Sequence, residues 1–316
     1  MPWWLTNGKV HTVVGGLPLR TTWVQRRASA LLADSTPLTL DAGAGVRLNA
    51  FRAPGKGGPR VILIHGWEGD AHSRYLLSTA DALHRAGHEV VRLQLRDHGD
   101  NHALNEGPFL GSEHGEVLRA LADLQRQVPA QRTCVVGYSL GGNFAVRLAV
   151  HAPVAALDLC AVLAICPPVR PRDAARSISR SVVYNRYFAM RWKRSIRKKI
   201  AAFPSWRAHR WLLDIDDIIA MHDAFVPVFT RFPSTDAYFE SYALTSDHVP
   251  SVSCPTDLLL AADDPICPVS SLAVLARPPG LSTTLVPHGG HCAFLDGAWL
   301  TSWMDEHVCN WVAAHT

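Results

Sequence analysis

No uncharged apolar run approaches the roughly 20 residues that a membrane-spanning helix needs, so no membrane span is expected. The opening Met1-Pro-Trp-Trp-Leu lacks the basic start and long apolar stretch of a secretory signal, and no such signal is expected there. None of the seven cysteines, at 134, 160, 166, 254, 267, 292 and 309, belongs to a CxxC pair. An odd count without framework spacing predicts reduced, buried thiols and a cytoplasmic protein. Cys292 adjoins a histidine, but a small core residue is the expected role. Basic and acidic residues nearly balance, 31 Lys and Arg against 27 Asp and Glu. A formal net charge of +4 is too mild to imply a nucleic-acid partner. Gly55–Gly58, with its single lysine, lacks the G-x-x-x-x-G-K-[ST] of a phosphate-cradling loop. H-E-x-x-H is also missing. Asp97, His98, Asp100 and His102, with His72, fit no zinc spacing and read as a hydrogen-bonded turn, so neither metal nor other cofactor is expected. No internal repeat or low-complexity tract is visible.

What is present is an ordinary globular composition, 48% hydrophobic and 18% charged over 316 residues, enough for one large α/β domain or two small ones. From residue 60 onward, apolar runs alternate with amphipathic segments. Val61–His65, His88–Leu95, Thr133–Gly137 and Leu157–Ile165 read as strands; Tyr75–Arg85, Glu113–Gln127 and Leu140–His151 read as helices. That alternation predicts a mostly parallel sheet covered on both faces, with Val46–Arg52 added as an antiparallel edge strand. After Pro167-Pro168 the rhythm stops, and helical stretches without a convincing strand run to about Leu244. Tyr184, Phe188, Trp192, Ile196 and Ile200 form an apolar stripe, and Arg191, Lys193, Arg194, Arg197, Lys198 and Lys199 crowd the other faces. A solvated face is the plain reading of those cations; weak contact of the basic helix 184–200 with an anionic membrane surface is the alternative. The α/β rhythm returns with strands Thr256–Ala262 and Ser282–Val286, a helix near Val269–Ala276, and a last helix Trp299–Ala314. The organisation expected is therefore 1–168 as the first part of the core, 169–245 as a helical lid insertion, and 246–316 as the remainder.

Gly137-Tyr138-Ser139-Leu140-Gly141 is a G-x-S-x-G motif. By itself it is weak, because chance gives on the order of 0.1 matches in a chain this long. Its context is strong: a strand precedes the serine and a helix follows, as a nucleophile elbow requires. A serine hydroxyl needs a base to attack a carbonyl, and the chain order in such enzymes is serine, acid, histidine. His291 follows the last strand through His288-Gly289-Gly290 and is the candidate base, with His288 as fallback. Asp263 and Asp264 both follow the run Leu258–Ala262, and either could orient the base. Asp264 is preferred, since Asp264-Pro265-Ile266-Cys267-Pro268 resembles the acid loop of many hydrolases; Asp263 would then cap the turn. Asp296 is read as the N-cap of the last helix. Backbone N–H groups of Leu140 and Trp67 are the expected oxyanion donors. His65, at a strand end, is assigned a structural hydrogen bond.

His65-Gly66-Trp67-Glu68-Gly69, Arg96-Asp97-His98-Gly99, Gly137–Asn143, Ala261-Ala262-Asp263-Asp264-Pro265 and Gly289-Gly290-His291 together resemble the YheT-like hydrolases. That group includes eukaryotic embryogenesis-associated and lipid-acting α/β-hydrolase proteins. Asp214–Phe225 and Tyr238-Phe239 resemble the family's lid, and the likeness spans nearly the whole chain from about residue 9. It implies the α/β-hydrolase fold, nucleophile Ser139, acid Asp264, base His291 and hydrolysis of carboxylic esters, short acyl esters or glycerolipids, without a cofactor. Two departures stand out: Arg-Asp-His-Gly replaces the Arg-Gly-His of many relatives, and the N-terminal segment keeps only His11-Thr12 of a longer pattern. An acyltransferase or thioesterase using the same three residues is the alternative enzyme class, and a binding module on a hydrolase scaffold the non-enzymatic one.

Overall fold

The computed structural model describes residues 7–16, 18–296 and 301–316, so readings that rest on Met1–Leu5 or on Trp299 and Leu300 lie outside it. Eight strands form one sheet: β1 (Thr36–Asp41), β2 (Arg47–Ala53), β3 (Arg60–Ile64), β4 (Glu89–Gln94), β5 (Thr133–Tyr138), β6 (Ala161–Ile165), β7 (Thr256–Ala261) and β8 (Leu281–Val286). Their order is β1-β2-β4-β3-β5-β6-β7-β8. β1 and β2 run antiparallel to their neighbours, and the remaining pairs are parallel. Every residue of β3, β5 and β6 is buried, which is why these segments read as continuous apolar runs rather than alternating ones.

Successive strand residues feed opposite faces. Ile62 and Ile64 of β3 pack beneath α5 (His114–Gln127) and α6 (Leu140–His151), with Leu121, Leu124, Phe144 and Leu148. Val61 and Leu63 pack on the other face against α4 (Arg74–Arg85) and α11 (Met304–Ala314), with Leu76, Leu77, Val308 and Val312. This period of two is what places helices on both sides of the sheet.

Several expectations needed correction. Arg47–Ala53 is antiparallel but not the edge, because β1 pairs outside it from Thr36↔Arg52 to Asp41↔Arg47. β1 was missed because it carries Pro37 and buries only Leu40, a pattern suited to an edge strand and weak in apolar signal. Leu157–Ile165 contains a strand only over Ala161–Ile165, and Val269–Val274 is a 3-10 helix. Asp296 does not cap the last helix: it pairs with Thr301 in a short two-stranded ladder, and α11 begins at Met304. Three N-terminal helices, α1 (Gly8–Gly15), α2 (Pro18–Arg27) and α3 (Ser29–Asp34), were not anticipated.

Between β6 and β7 lie α7 (Pro171–Arg180), α8 (Val182–Ala202), a 3-10 stretch over Pro204–Asp214, α9 (Ile218–Phe229) and α10 (Thr235–Glu240). The stripe of α8 is buried at Tyr184, Trp192 and Ile196. Its cations are not all solvated, however. Lys199 is 2% exposed and pairs with Asp97 at 3.1 Å, while Lys193 is buried beside Asp216. Lys198 donates to Gly99 O and Arg191 to Glu68 O. Four of the six cations thus tie the helical segment to the core or to itself, because an unpaired buried ammonium or guanidinium would be costly. Among the described residues no helix is long and apolar enough to cross a membrane.

Candidate active site

Ser139 stands between the end of β5 and the start of α6 with φ 53° and ψ −122°, a region that residues with a side chain seldom occupy. Surrounding bonds hold it there. Its N–H donates to Ile165 O at 2.8 Å, and its carbonyl accepts from Gly142 N at 2.8 Å and Asn143 N at 3.1 Å. The flanking glycines are required by contact distance. A Cβ on Gly137 would lie 2.1 Å from Gly141 O, and one on Gly141 would lie 2.3 Å from Ile64 O. Strand, turn and helix can therefore close this tightly only with glycine at both positions.

The loops after β7 and β8 bring the other two side chains to the serine. His291 Nε2 is 2.8 Å from Ser139 Oγ, and His291 Nδ1 is 2.8 Å from Asp264 Oδ2. Asp264 is 2% exposed and His291 11% at the side chain. The second carboxylate oxygen of Asp264 accepts from Ile266 N at 2.8 Å and Cys267 N at 3.0 Å. An ionised carboxylate only accepts, so Nδ1 carries the imidazole proton and Nε2 faces the hydroxyl as acceptor. Asp263 lies elsewhere: its Oδ1 accepts from the N–H groups of Gly289 and Gly290, both at 3.0 Å, and its Oδ2 is 3.2 Å from His288 Nδ1. Of the two adjacent acids, one touches His291 and the other shapes the loop that presents it.

The N-terminal helix completes the support, and the residues alone did not reveal that role. His291 N donates to Thr12 Oγ1 at 2.9 Å, and Leu295 N donates to His11 Nδ1 at 3.1 Å. Gly290 has φ 57°, and a Cβ there would be 2.4 Å from Gly8 O. Hence α1 packs against the histidine loop across more than 270 residues of sequence. The only signal was the retained His11-Thr12 pair.

Trp67 and Leu140 border the same apolar cavity as Ser139. Gly66, just before Trp67, packs so closely that an added Cβ would be 3.0 Å from Ser139 Cβ. His65 is fully buried. It accepts from Leu95 N at 3.2 Å through Nε2 and contacts Gly66 O through Nδ1 at 2.8 Å. Burial lowers its pKa to about 4, so it is neutral and structural near neutral pH. Asp97 accepts from Phe109 N at 2.9 Å as well as pairing with Lys199, and burial raises its pKa to about 6. Burial likewise pushes the Glu68 carboxyl up to about 7, opposed by the Ser195 hydroxyl that donates to it at 2.8 Å.

Two sets of atoms could be drawn as metal ligands, Cys166 with His291 and Cys292, and Asp264 with Cys267 and His291, each set lying within 4.8 Å of one another. Burial drives the thiols of Cys267 and Cys292 well above their ordinary pKa, against the thiolate a metal needs. Both ring nitrogens of His291 are engaged by Ser139 and Asp264. The donor set suits a hydrogen-bonded relay better than a cation.

The profile of the alpha/beta hydrolase family matches residues 61–302. The chain is 25% identical over 271 residues to the Escherichia coli K12 protein named "Putative esterase YheT", covering 81% of this chain and 77% of that one. It is 23% identical over 210 residues to the monoacylglycerol lipase ABHD2 of Danio rerio, covering 60% of this chain and 50% of that one. Among solved structures, the esterase Pf2001 of Pyrococcus furiosus superposes with a TM-score of 0.57 at 13% identity, over 89% of this chain and 92% of the other. With the sheet order, the elbow and the profile match in agreement, this chain belongs to the alpha/beta hydrolase family.

Proposed function

We propose that the chain is a serine carboxylesterase that works through an acyl-enzyme on Ser139. The observation that carries this reading is the unbroken line of two 2.8 Å hydrogen bonds from Ser139 Oγ through the His291 ring to Asp264. His291 Nε2 takes the hydroxyl proton as Oγ attacks the ester carbonyl, and the imidazolium is stabilised by Asp264. The carbonyl oxygen gains negative charge, to be met by the backbone N–H groups of Trp67 and Leu140. His291 then returns the proton to the departing alcohol. Water, deprotonated by the same nitrogen, releases the acid and regenerates the serine.

The helical segment 169–245 acts as a lid in this reading. Ile178 of α7, Trp192 and Ile196 of α8, and His222 and Phe225 of α9 form part of the wall around the apolar cavity. A cavity lined mainly by apolar side chains suits an acyl chain longer than acetyl. All seven cysteines are free, which suits a reducing compartment such as the cytoplasm. The test is a series of p-nitrophenyl esters from acetate to palmitate, with Ser139→Ala beside the wild type. Turnover that rises beyond acetate and disappears in the variant is expected. Unchanged turnover by Ser139→Ala would refute the mechanism.

A further inference from the structure

Two cavities meet at Ser139, and only the outer one gathers charged side chains of the N-terminal helices. The inner one is the apolar space just described. The outer one also reaches Ser139 but is bordered by His291, Arg20, Arg74 and Arg191. Trp67 and Phe188 border both cavities, and their rings stack 5.4 Å apart at an interplanar angle of 5°. They form a wall beside the serine. His291 borders the outer cavity and not the inner one. A general acid delivers its proton to the leaving group, so the leaving alcohol belongs on the side where the imidazole lies.

The three arginines come from separate elements, α2, the first residue of α4 and the middle of α8. Arg20 lies in the field of Asp305. Arg74 donates to Thr21 Oγ1 at 2.7 Å, and Arg191 donates to Glu68 O; neither has a carboxylate partner within ion-pairing distance among the described residues. Arg74 and Arg191 also repel each other, and burial together with that repulsion lowers the Arg74 pKa. The cavity's own carboxylates, Asp70 in the field of Arg74 and Glu68 in that of Arg191, make no ion pair with them. Asp70 accepts from His72 N at 2.8 Å within its own turn, and Glu68 takes the Ser195 hydroxyl. Arg74 and Arg191, in a partly desolvated cavity and without an ion-paired carboxylate, favour an oxyanion, which guanidinium groups can meet with paired N–H donors.

We propose that this outer cavity binds an oxyanion, phosphate or carboxylate, carried on the alcohol half of the ester, with Arg74 and Arg191 as its principal ligands. The substrate class is then an acyl ester of an acidic alcohol, its chain in the apolar cavity and its anion among the arginines. The assignment of the two halves rests on the serine-hydrolase reading above.

The experiment separates the two. Full-length Ser139→Ala protein is titrated calorimetrically with 1-octanoylglycerol 3-phosphate and with uncharged 1-octanoylglycerol. The phosphate ester binds at least about ten-fold more tightly, as one or two charge-assisted hydrogen bonds imply. Adding Arg74→Gln or Arg191→Gln reduces that ratio to about three-fold or less. Arg186→Gln, exposed on the same helix and outside the cavity lining, leaves the ratio unchanged. Equal affinities, or a preference that survives both arginine substitutions, overturn the proposal. If the arginine variants fail to fold, salt decides in the Ser139→Ala protein itself: the preference falls as ionic strength rises, and a salt-independent preference overturns it. Glycerol 3-phosphate that binds as tightly as its octanoyl ester points to a free phosphate ligand and also overturns it. Fluorophosphonate labelling of the otherwise native chain reports on Ser139 separately. Labelling without a phosphate preference sinks only the subsite, and a preference without labelling sinks only the hydrolase mechanism.

Discussion

Asp264→Asn should abolish most activity while leaving the fold in place, and the structure gives the reason atom by atom. Asp264 Oδ1 accepts two backbone N–H groups, from Ile266 and Cys267, while Oδ2 accepts from His291 Nδ1. An asparagine must keep its oxygen at the first site, because an NH2 there would face two donors. Its NH2 then faces His291 Nδ1, which becomes the acceptor, and the ring proton moves to Nε2. The nitrogen facing Ser139 is now protonated and cannot take the hydroxyl proton. Loss of the base through a wrong tautomer is worth roughly 10³–10⁴ in kcat, or about 4–5.5 kcal/mol of barrier. Stability should change by only about 1 kcal/mol, since the two backbone bonds survive with a neutral acceptor. The assay is kcat for p-nitrophenyl butyrate together with the rate of fluorophosphonate labelling and a urea denaturation curve. Asp263→Asn is the comparison, because its partners are Gly289, Gly290 and His288; it should lose no more than about ten-fold. Near-normal kcat in Asp264→Asn, or a greater loss in Asp263→Asn, would refute the reasoning.

Thr12→Val removes the acceptor of the His291 N–H, and an unsatisfied buried donor costs about 1–3 kcal/mol. We expect kcat to fall about ten-fold with KM little changed; an unaltered kcat would show that α1 does not position the histidine. Glu68 supplies a pH test of stability. Its folded pKa of about 7 lies above the ordinary 4.5, so the folded state holds the proton more tightly than the unfolded one. The associated stability is fully present below about pH 4.5 and is lost as the pH rises through 7, by up to about 3 kcal/mol. Glu68→Gln should remove that slope, which urea midpoints across the range would show as a converging pair of curves at low pH and a more stable variant at high pH. Parallel curves would contradict the assignment.

Much of the fold could be read from the chain because its central strands announce themselves. β3, β5 and β6 are buried on both faces and are apolar except at their first residues Arg60 and Thr133, and the Gly137-Tyr138-Ser139-Leu140-Gly141 turn links strand to helix with glycines that no other residue could replace sterically. The periphery was harder. β1 shows one face to solvent and includes a proline, so its alternation is faint. α1–α3 are defined by tertiary packing against α4, the sheet and the histidine loop rather than by strong local patterning. The cations of α8 illustrate the same limit: Lys199 and Arg194 look alike in sequence, yet the first is buried on Asp97 and the second is exposed. At the site, chain order placed a histidine and an acid near the serine, and the D-x-x-x-P resemblance selected Asp264. Which acid touches the ring depends on the turn geometry at Ala261–Cys267, where one carboxylate faces the ring and its neighbour faces the glycines. No short-range pattern encodes that difference. The arginines of the outer cavity, Arg20, Arg74 and Arg191, are scattered over the chain and converge only in three dimensions.

The most direct measurement is acid quenching during turnover of p-nitrophenyl octanoate, followed by peptide mass analysis. An octanoyl group on the peptide containing Ser139, appearing in a burst and absent from His291→Ala, is the outcome this mechanism requires. Steady turnover with no acyl group on that peptide, or with the acyl group on another side chain, would contradict it.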